Sequence, residues 1–177
     1  YNGNVANSAT LSTMIQSDPR DLRMTYSDNQ FRNKVVIYGN SPTIAGFTLG
    51  IRYSGIGGTR FSATTGGNIN GDFVDSNDLA FIFPNLTKSI LDDPQVGQAL
   101  KDYINEYNGK IAERNGGKNG FYGVWDVRVA KKIKLDKVGA FELSVDIFNV
   151  ANLLNKEWGV NNSYTNTSLY KVTRFNK

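Results

Sequence analysis

A chain of 177 residues with a formal charge of +4 is long enough to bury one sizeable core, and its Lys and Arg are too evenly spread to suggest a nucleic-acid binder. It has neither cysteine nor histidine, which excludes disulfides, thiolate chemistry and the commonest general base and metal ligand. Gly (18), Tyr (9) and Phe (10) are frequent, a balance that suits strands, tight turns and aromatic belts.

The opening, Tyr1-Asn2-Gly3-Asn4, carries no initiator Met and no signal peptide, which suggests a piece of a longer protein or a processed one. Residues 1–30 are polar and loop-like, with an Asp18-Pro19 turn signal. Lys34-Val35-Val36-Ile37-Tyr38 is a β-branched strand candidate, and Ser41-Pro42-Thr43 reads as a turn. In residues 46–55, Phe47, Leu49, Ile51 and Tyr53 alternate with Thr48, Gly50, Arg52 and Ser54. The two segments together predict a hairpin.

Residues 56–70 are rich in Gly, Thr and Ser and predict an exit from the sheet. Asn68, Asn70 and Asp72 have the spacing of the first three calcium ligands of an EF-hand loop. The match fails further on, with Phe73 where Gly is required and Leu79 where a bidentate Glu belongs. No cofactor is expected; a calcium ion at these three residues is weighed against a polar turn capped by Asx side chains. Asn85 or Thr87 can cap a short helical turn. Asp93-Pro94 then predicts a helix over about 94–108, with Asp at the N-cap and Pro at the first position. Val96, Leu100, Tyr103, Ile104, Tyr107 and Ile111 form its single apolar stripe, which reads as packing and not as a partner surface.

The dominant stretch is residues 121–159, two runs of strict alternation joined by Asp136-Lys137-Val138-Gly139. Trp125, Val127, Val129, Ile133 and Leu135 share one face of the first run, with Asp126, Arg128, Lys132 and Lys134 on the other. Phe141, Leu143, Val145 and Ile147 share a face in the second, opposite Glu142, Ser144 and Asp146. Both runs are strands by their period of two. Lys131 alone breaks the apolar face, at a place where it can reach water near the turn. Two environments fit: a half-wet soluble sheet, or a transmembrane barrel with lipid outside and a polar lumen. No apolar run approaches the roughly 20 residues a membrane-spanning helix needs, which leaves a barrel open. Beyond the hairpin, residues 149–155 are rich in Asn, and residues 158–172 resume a weak alternation that includes Tyr164, Leu169 and Tyr170.

This stretch resembles the C-terminal barrel region of TonB-dependent outer-membrane receptors, in particular the Oar-like Bacteroidetes type. The likeness begins at Asn119-Gly120-Phe121-Tyr122-Gly123 and runs through Trp125-Asp126-Val127-Arg128-Val129-Ala130-Lys131-Lys132. It is closest at Val145-Asp146-Ile147-Phe148-Asn149-Val150-Ala151-Asn152-Leu153-Leu154-Asn155, followed by Trp158-Gly159. Weaker likeness extends back to about residue 30, and Asn70-Gly71-Asp72 with Asn77 to Ile82 resembles an extracellular loop of the same receptors. The resemblance implies a mainly β chain: an antiparallel transmembrane β-barrel segment, or partial barrel, spanning 1–177, with residues 56–120 as a long extracellular loop bearing the helix over the outer mouth. Asp126, Arg128, Glu142 and Asp146 would then face the lumen. Trp125, Val127, Val129, Phe141, Leu143, Val145 and Ile147 would face lipid.

The same resemblance implies import of a nutrient ligand across the outer membrane. The implied partners are the rest of the barrel and its plug, the TonB complex through an N-terminal region, outer-membrane lipid and an outer-membrane lipoprotein. Family barrels usually close on an aromatic residue; here Phe175 stands two before the last residue, Lys177.

No catalytic constellation is legible. Gly55-Ile56-Gly57-Gly58 is too short for a phosphate loop and has no helix after it. Asp126 and Asp146 on adjacent strands admit acid–base work, but a self-satisfying charge network explains them as well, so no enzyme activity is expected. Two other readings stay open. One is a soluble extracellular β-rich binding module, whose own helix would cover the apolar face. The other is a barrel with a structural role and no transport.

Overall fold

The computed structural model describes residues 24–27, 29–71, 74–75, 77–135 and 139–171. In chain order the strands are β1 (Lys34–Asn40), β2 (Phe47–Ile56), β3 (Arg60–Phe61), β4 (Ala63–Gly66), β5 (Gly117–Lys118), β6 (Tyr122–Leu135), β7 (Gly139–Ile147) and β8 (Thr167–Lys171). Two helices, α1 (Pro84–Asp92) and α2 (Gln98–Glu106), lie between β4 and β5. The fold is mainly β with antiparallel sheets, and no closed barrel forms among the described residues. No helix there is long and apolar enough to cross a membrane, which does not bear on strands. The chain divides into two compact units.

The sheet unit takes residues 32–57 and 121–161. Its four strands run in the order β1-β2-β6-β7, all antiparallel. Register puts Ile37 opposite Tyr53, Tyr53 opposite Trp125, and Val127 opposite Ile147, so the apolar sets of all four strands share one face. The β1–β2 connection closes at Ala45-Gly46, both with positive φ, where Ile44 and Phe47 exchange two 2.9 Å hydrogen bonds. That is the two-residue geometry whose twist matches paired strands. The turn tip therefore falls past the predicted Ser41-Pro42-Thr43. Ser41 instead ties down the strand end: its N–H donates to the Leu49 carbonyl at 2.7 Å, and its hydroxyl accepts the Leu49 N–H at 2.9 Å.

At the opposite end Ile56 pairs with Tyr122, so the chain leaves this sheet and re-enters it between two adjacent strands. β1 and β7 are the sheet's edges.

The second unit takes residues 58–120 with the described residues before 32 and after 161. Its core is Phe61, Ala63, Ala80, Ile82, Leu100, Tyr103, Ile104 and Ala112, all buried. The Tyr103 ring meets Phe61 edge-on at 5.4 Å, and its hydroxyl donates to the Glu113 carbonyl at 2.5 Å. Burial pushes the Tyr103 phenol up to about 12. Gly117 is required by packing, since a Cβ there would sit 2.6 Å from the Phe61 ring.

Two asparagines act as backbone surrogates here. Buried Asn115 bonds Ser62 in both directions and donates to the Tyr26 carbonyl at 2.7 Å. Asn119 accepts the Tyr164 N–H and donates to the Tyr164 carbonyl, each at 2.8 Å, as a strand neighbour would.

The helical region departs from expectation. A helix predicted over about 94–108 is present only over Gln98–Glu106. Asp93 does not cap it: the Asp93 carboxylate accepts the Gln95 N–H at 2.8 Å, which makes an Asx turn between two helices. α1 begins with Pro84 at its first position, and neither Asn85 nor Thr87 caps it. Thr87 instead donates back to the Phe83 carbonyl at 2.9 Å, inside the helix. The predicted stripe does pack, through Leu100, Tyr103 and Ile104. Ile111 lies beyond the helix and forms a bridge with Phe81. The weak alternation after residue 158 yields β8, which pairs parallel to β4 in this second unit and adds no strand to the four-stranded sheet.

Candidate functional site: the two faces of the sheet

Alternation along β6 and β7 puts Asp126, Arg128, Glu142 and Asp146 on one face. The structure brings these four predicted residues together. Arg128 pairs with Asp146 at 3.3 Å and reaches Glu142 at 3.8 Å, with both partners about half exposed. Exposed pairs of this kind contribute about 0.2–1 kcal/mol. Asp126 is bound differently: its carboxylate accepts the Asn149 backbone N–H at 3.0 Å. The two aspartates thus have separate partners, and they do not form a bare carboxylate pair.

Sequence reading missed the rest of this face. A cavity of about 230 Å³ is bounded by Tyr38, Asn40, Arg52 and Phe148 as well as Asp126, Arg128 and Asp146. Arg52 lies directly opposite Asp126 across the β2–β6 pairing. Its alternation was legible, but the register between strands so far apart in the chain was not. Gly50 opens the floor, since a Cβ there would meet the Asn40 side-chain oxygen at 2.8 Å.

The opposite face carries Trp125, Val127, Val129, Phe141, Leu143, Val145 and Ile147, together with Phe47, Leu49, Ile51 and Tyr53. Most of these side chains are exposed, Leu143 to 63%. Aromatic rings stand toward both ends. The Tyr53 and Trp125 rings pack at 4.6 Å with their planes tilted by 37° near the Ile56–Tyr122 end, while Phe47 and Phe141 lie toward the turns. Gly123 makes room for the Tyr53 ring, whose hydroxyl would lie 2.5 Å from a Cβ at that position. Lys131, the one charge on this face, is satisfied locally. Its ammonium donates to the Ala45 carbonyl at 2.6 Å and sits 3.8 Å from the centre of the Phe47 ring.

Of the calcium candidates, Asp72 lies outside the described residues. The Asn68 side chain accepts the Gly71 N–H at 2.7 Å, and Asp78 accepts the Ile69 N–H at 2.7 Å. These are the bonds of an Asx-capped loop, and among the described residues no group of three or more acidic side chains is placed to hold a metal ion. No protein-family model matches this sequence, and neither a curated protein nor a solved structure matches it.

Proposed function

We propose that this chain is part of a TonB-dependent outer-membrane receptor that imports a nutrient ligand, with the four-stranded sheet as a segment of the barrel wall. The observation that carries the reading is the exposed apolar face of that sheet, edged by aromatic rings and backed by a charged face. Bacterial outer-membrane barrels place apolar residues toward lipid, aromatics at both interfaces and polar residues inside. Dimensions agree with this. From Trp125 to Leu135 a strand advances about 33 Å, and a tilt of about 40° reduces that to about 25 Å, the height of the apolar band in such barrels.

Connectivity points the same way. β1 and β2, and β6 and β7, follow one another closely in sequence at one end of the sheet, and residues 57–121 make one long excursion at the other. Short periplasmic turns and long outer loops have that asymmetry. The open edges at β1 and β7 require further strands, since unpaired backbone is not tolerated in lipid. The receptor identity and nutrient import rest on the resemblance of residues 121–159 to the Oar-like group.

Arginine substitution tests the assignment of faces. In the full protein refolded into vesicles, Leu143→Arg and Val127→Arg are expected to cost about 2–4 kcal/mol each, and Ser144→Arg much less. Equal tolerance at all three positions would sink the barrel reading. A protein that stays monodisperse without detergent would favour the soluble β-rich module instead.

A further inference from the structure

The loop after β7 holds a second feature of the sheet unit that the barrel reading does not need. Asn149 adopts a left-handed backbone (φ 51°) and ties the loop to β6 through its N–H bond to Asp126. Its side-chain amide donates to the Gly159 carbonyl at 3.4 Å. Asn152 donates to the Lys156 carbonyl at 2.8 Å and the Trp158 carbonyl at 3.1 Å. Asn155 accepts the Trp158 N–H at 3.0 Å through its carbonyl and the Glu157 N–H at 2.9 Å through its side chain. The backbone around Trp158 is therefore fixed on both sides, yet Trp158 remains 53% exposed. A bulky exposed indole carried on a fixed backbone is a contact surface whose position costs little to organise.

The packed Tyr53 and Trp125 rings and exposed Phe121 share a cleft with it. Together with Tyr122 and Glu157 they line a cleft of about 300 Å³. Among the described residues Glu157 is the one carboxylate in that lining, and no Lys or Arg contributes to it. An anion would meet ring faces and a like charge. A purely apolar guest would use the rings and gain nothing from the exposed carboxylate. A cation is attracted by both the ring faces and the carboxylate, and tryptophan offers the strongest such face.

We propose that this cleft binds a small organic ammonium group, held against Trp125 and Trp158 with Glu157 as its counter-ion. The ammonium belongs either to a soluble amine or to a lipid headgroup.

Trp125 and Trp158 both line the cleft, so the part of the emission change that Trp158→Ala removes, read against the parent, reports on it. Choline titrated into the full protein in an uncharged detergent is expected to give a saturable emission change. Glu157→Gln should weaken the apparent affinity about tenfold, and Trp158→Ala should abolish the response. Acetate and glucose should give none. The proposal is overturned if choline gives no saturable change, if Glu157→Gln binds it as well as the parent, or if glucose binds equally. Nanodiscs separate the two sources. A choline response lost in phosphatidylcholine discs but kept in phosphatidylglycerol discs assigns the site to a lipid headgroup; a response kept in both assigns it to a soluble amine.

Discussion

The two units place their apolar residues by opposite rules. In the second unit Phe61, Ile82 and Ile104 are fully buried, and the helix stripe closes over them. In the sheet unit Leu143, Val145 and Phe141 are as apolar, yet they stand exposed in a continuous field. An exposed apolar field of four strands is the kind of surface that lipid or another protein surface covers, where scattered surface hydrophobics need no such account. One sequence thus contains a region that buries its apolar residues and a region that leaves them exposed.

The contrast can be broken at its strongest point first. Phe61→Ala empties a fully buried aromatic site and should destabilise the second unit by about 3–5 kcal/mol, read from its own unfolding transition in denaturant. The same truncation logic does not hold for the exposed Leu143, where inserted charge, and not lost volume, is the damaging change. A loss below about 1 kcal/mol at Phe61 would mean the second unit has no tight core.

A pH scan acts on the same unit more gently. The Tyr103 phenol is raised from 10.0 to about 12 by burial, so its neutral form is favoured in the fold. Stability from this group is fully present below pH 10 and is lost as the pH rises toward 12, because the unfolded chain gives up the proton first. About 2–3 kcal/mol should disappear across that window, and Tyr103→Phe should flatten the slope. A slope unchanged in Tyr103→Phe would assign the loss to other groups.

The smallest effect sharpens the reading of the charged face. Arg128→Ala removes a pairing that is half exposed and should cost under about 1 kcal/mol of stability in a thermal melt. A loss several times larger would show the guanidinium to be desolvated in the full protein, as it would be if another part of the protein covered that face.

How much of this was legible in the sequence follows from periodicity. The faces of β6 and β7 were, because a period of two leaves no freedom once the strand is recognised. β4 was not, since it is short and buried throughout, and β8 showed only as a weak alternation with no signal for its parallel pairing to β4. Asp93-Pro94 misled because the same pair starts a helix or a turn, and only the distant packing of Leu100 and Tyr103 decides where the coil tightens. The roles of Asn115 and Asn119 had no local signal. Their partners, Tyr26, Ser62 and Tyr164, are brought to them by the fold alone. Arg52 was visible as a residue on an alternating strand, and became part of a site only through its register with Asp126.

The β3–β5 pairing has a consequence for how the chain finds its structure. β2 and β6 are neighbours although residues 57–121 separate them, and closing so long a loop is slow and entropically costly. Once Arg60 pairs with Lys118 and Phe61 with Gly117, the ends of that segment are already side by side. The effective loop shrinks to a few residues, which lowers the closure cost by about 2 kcal/mol. The expected order of events runs from the inserted unit outward: the eight buried residues of its core lie in one continuous segment, and the longest-range strand pairing of the sheet then closes as a short hairpin would.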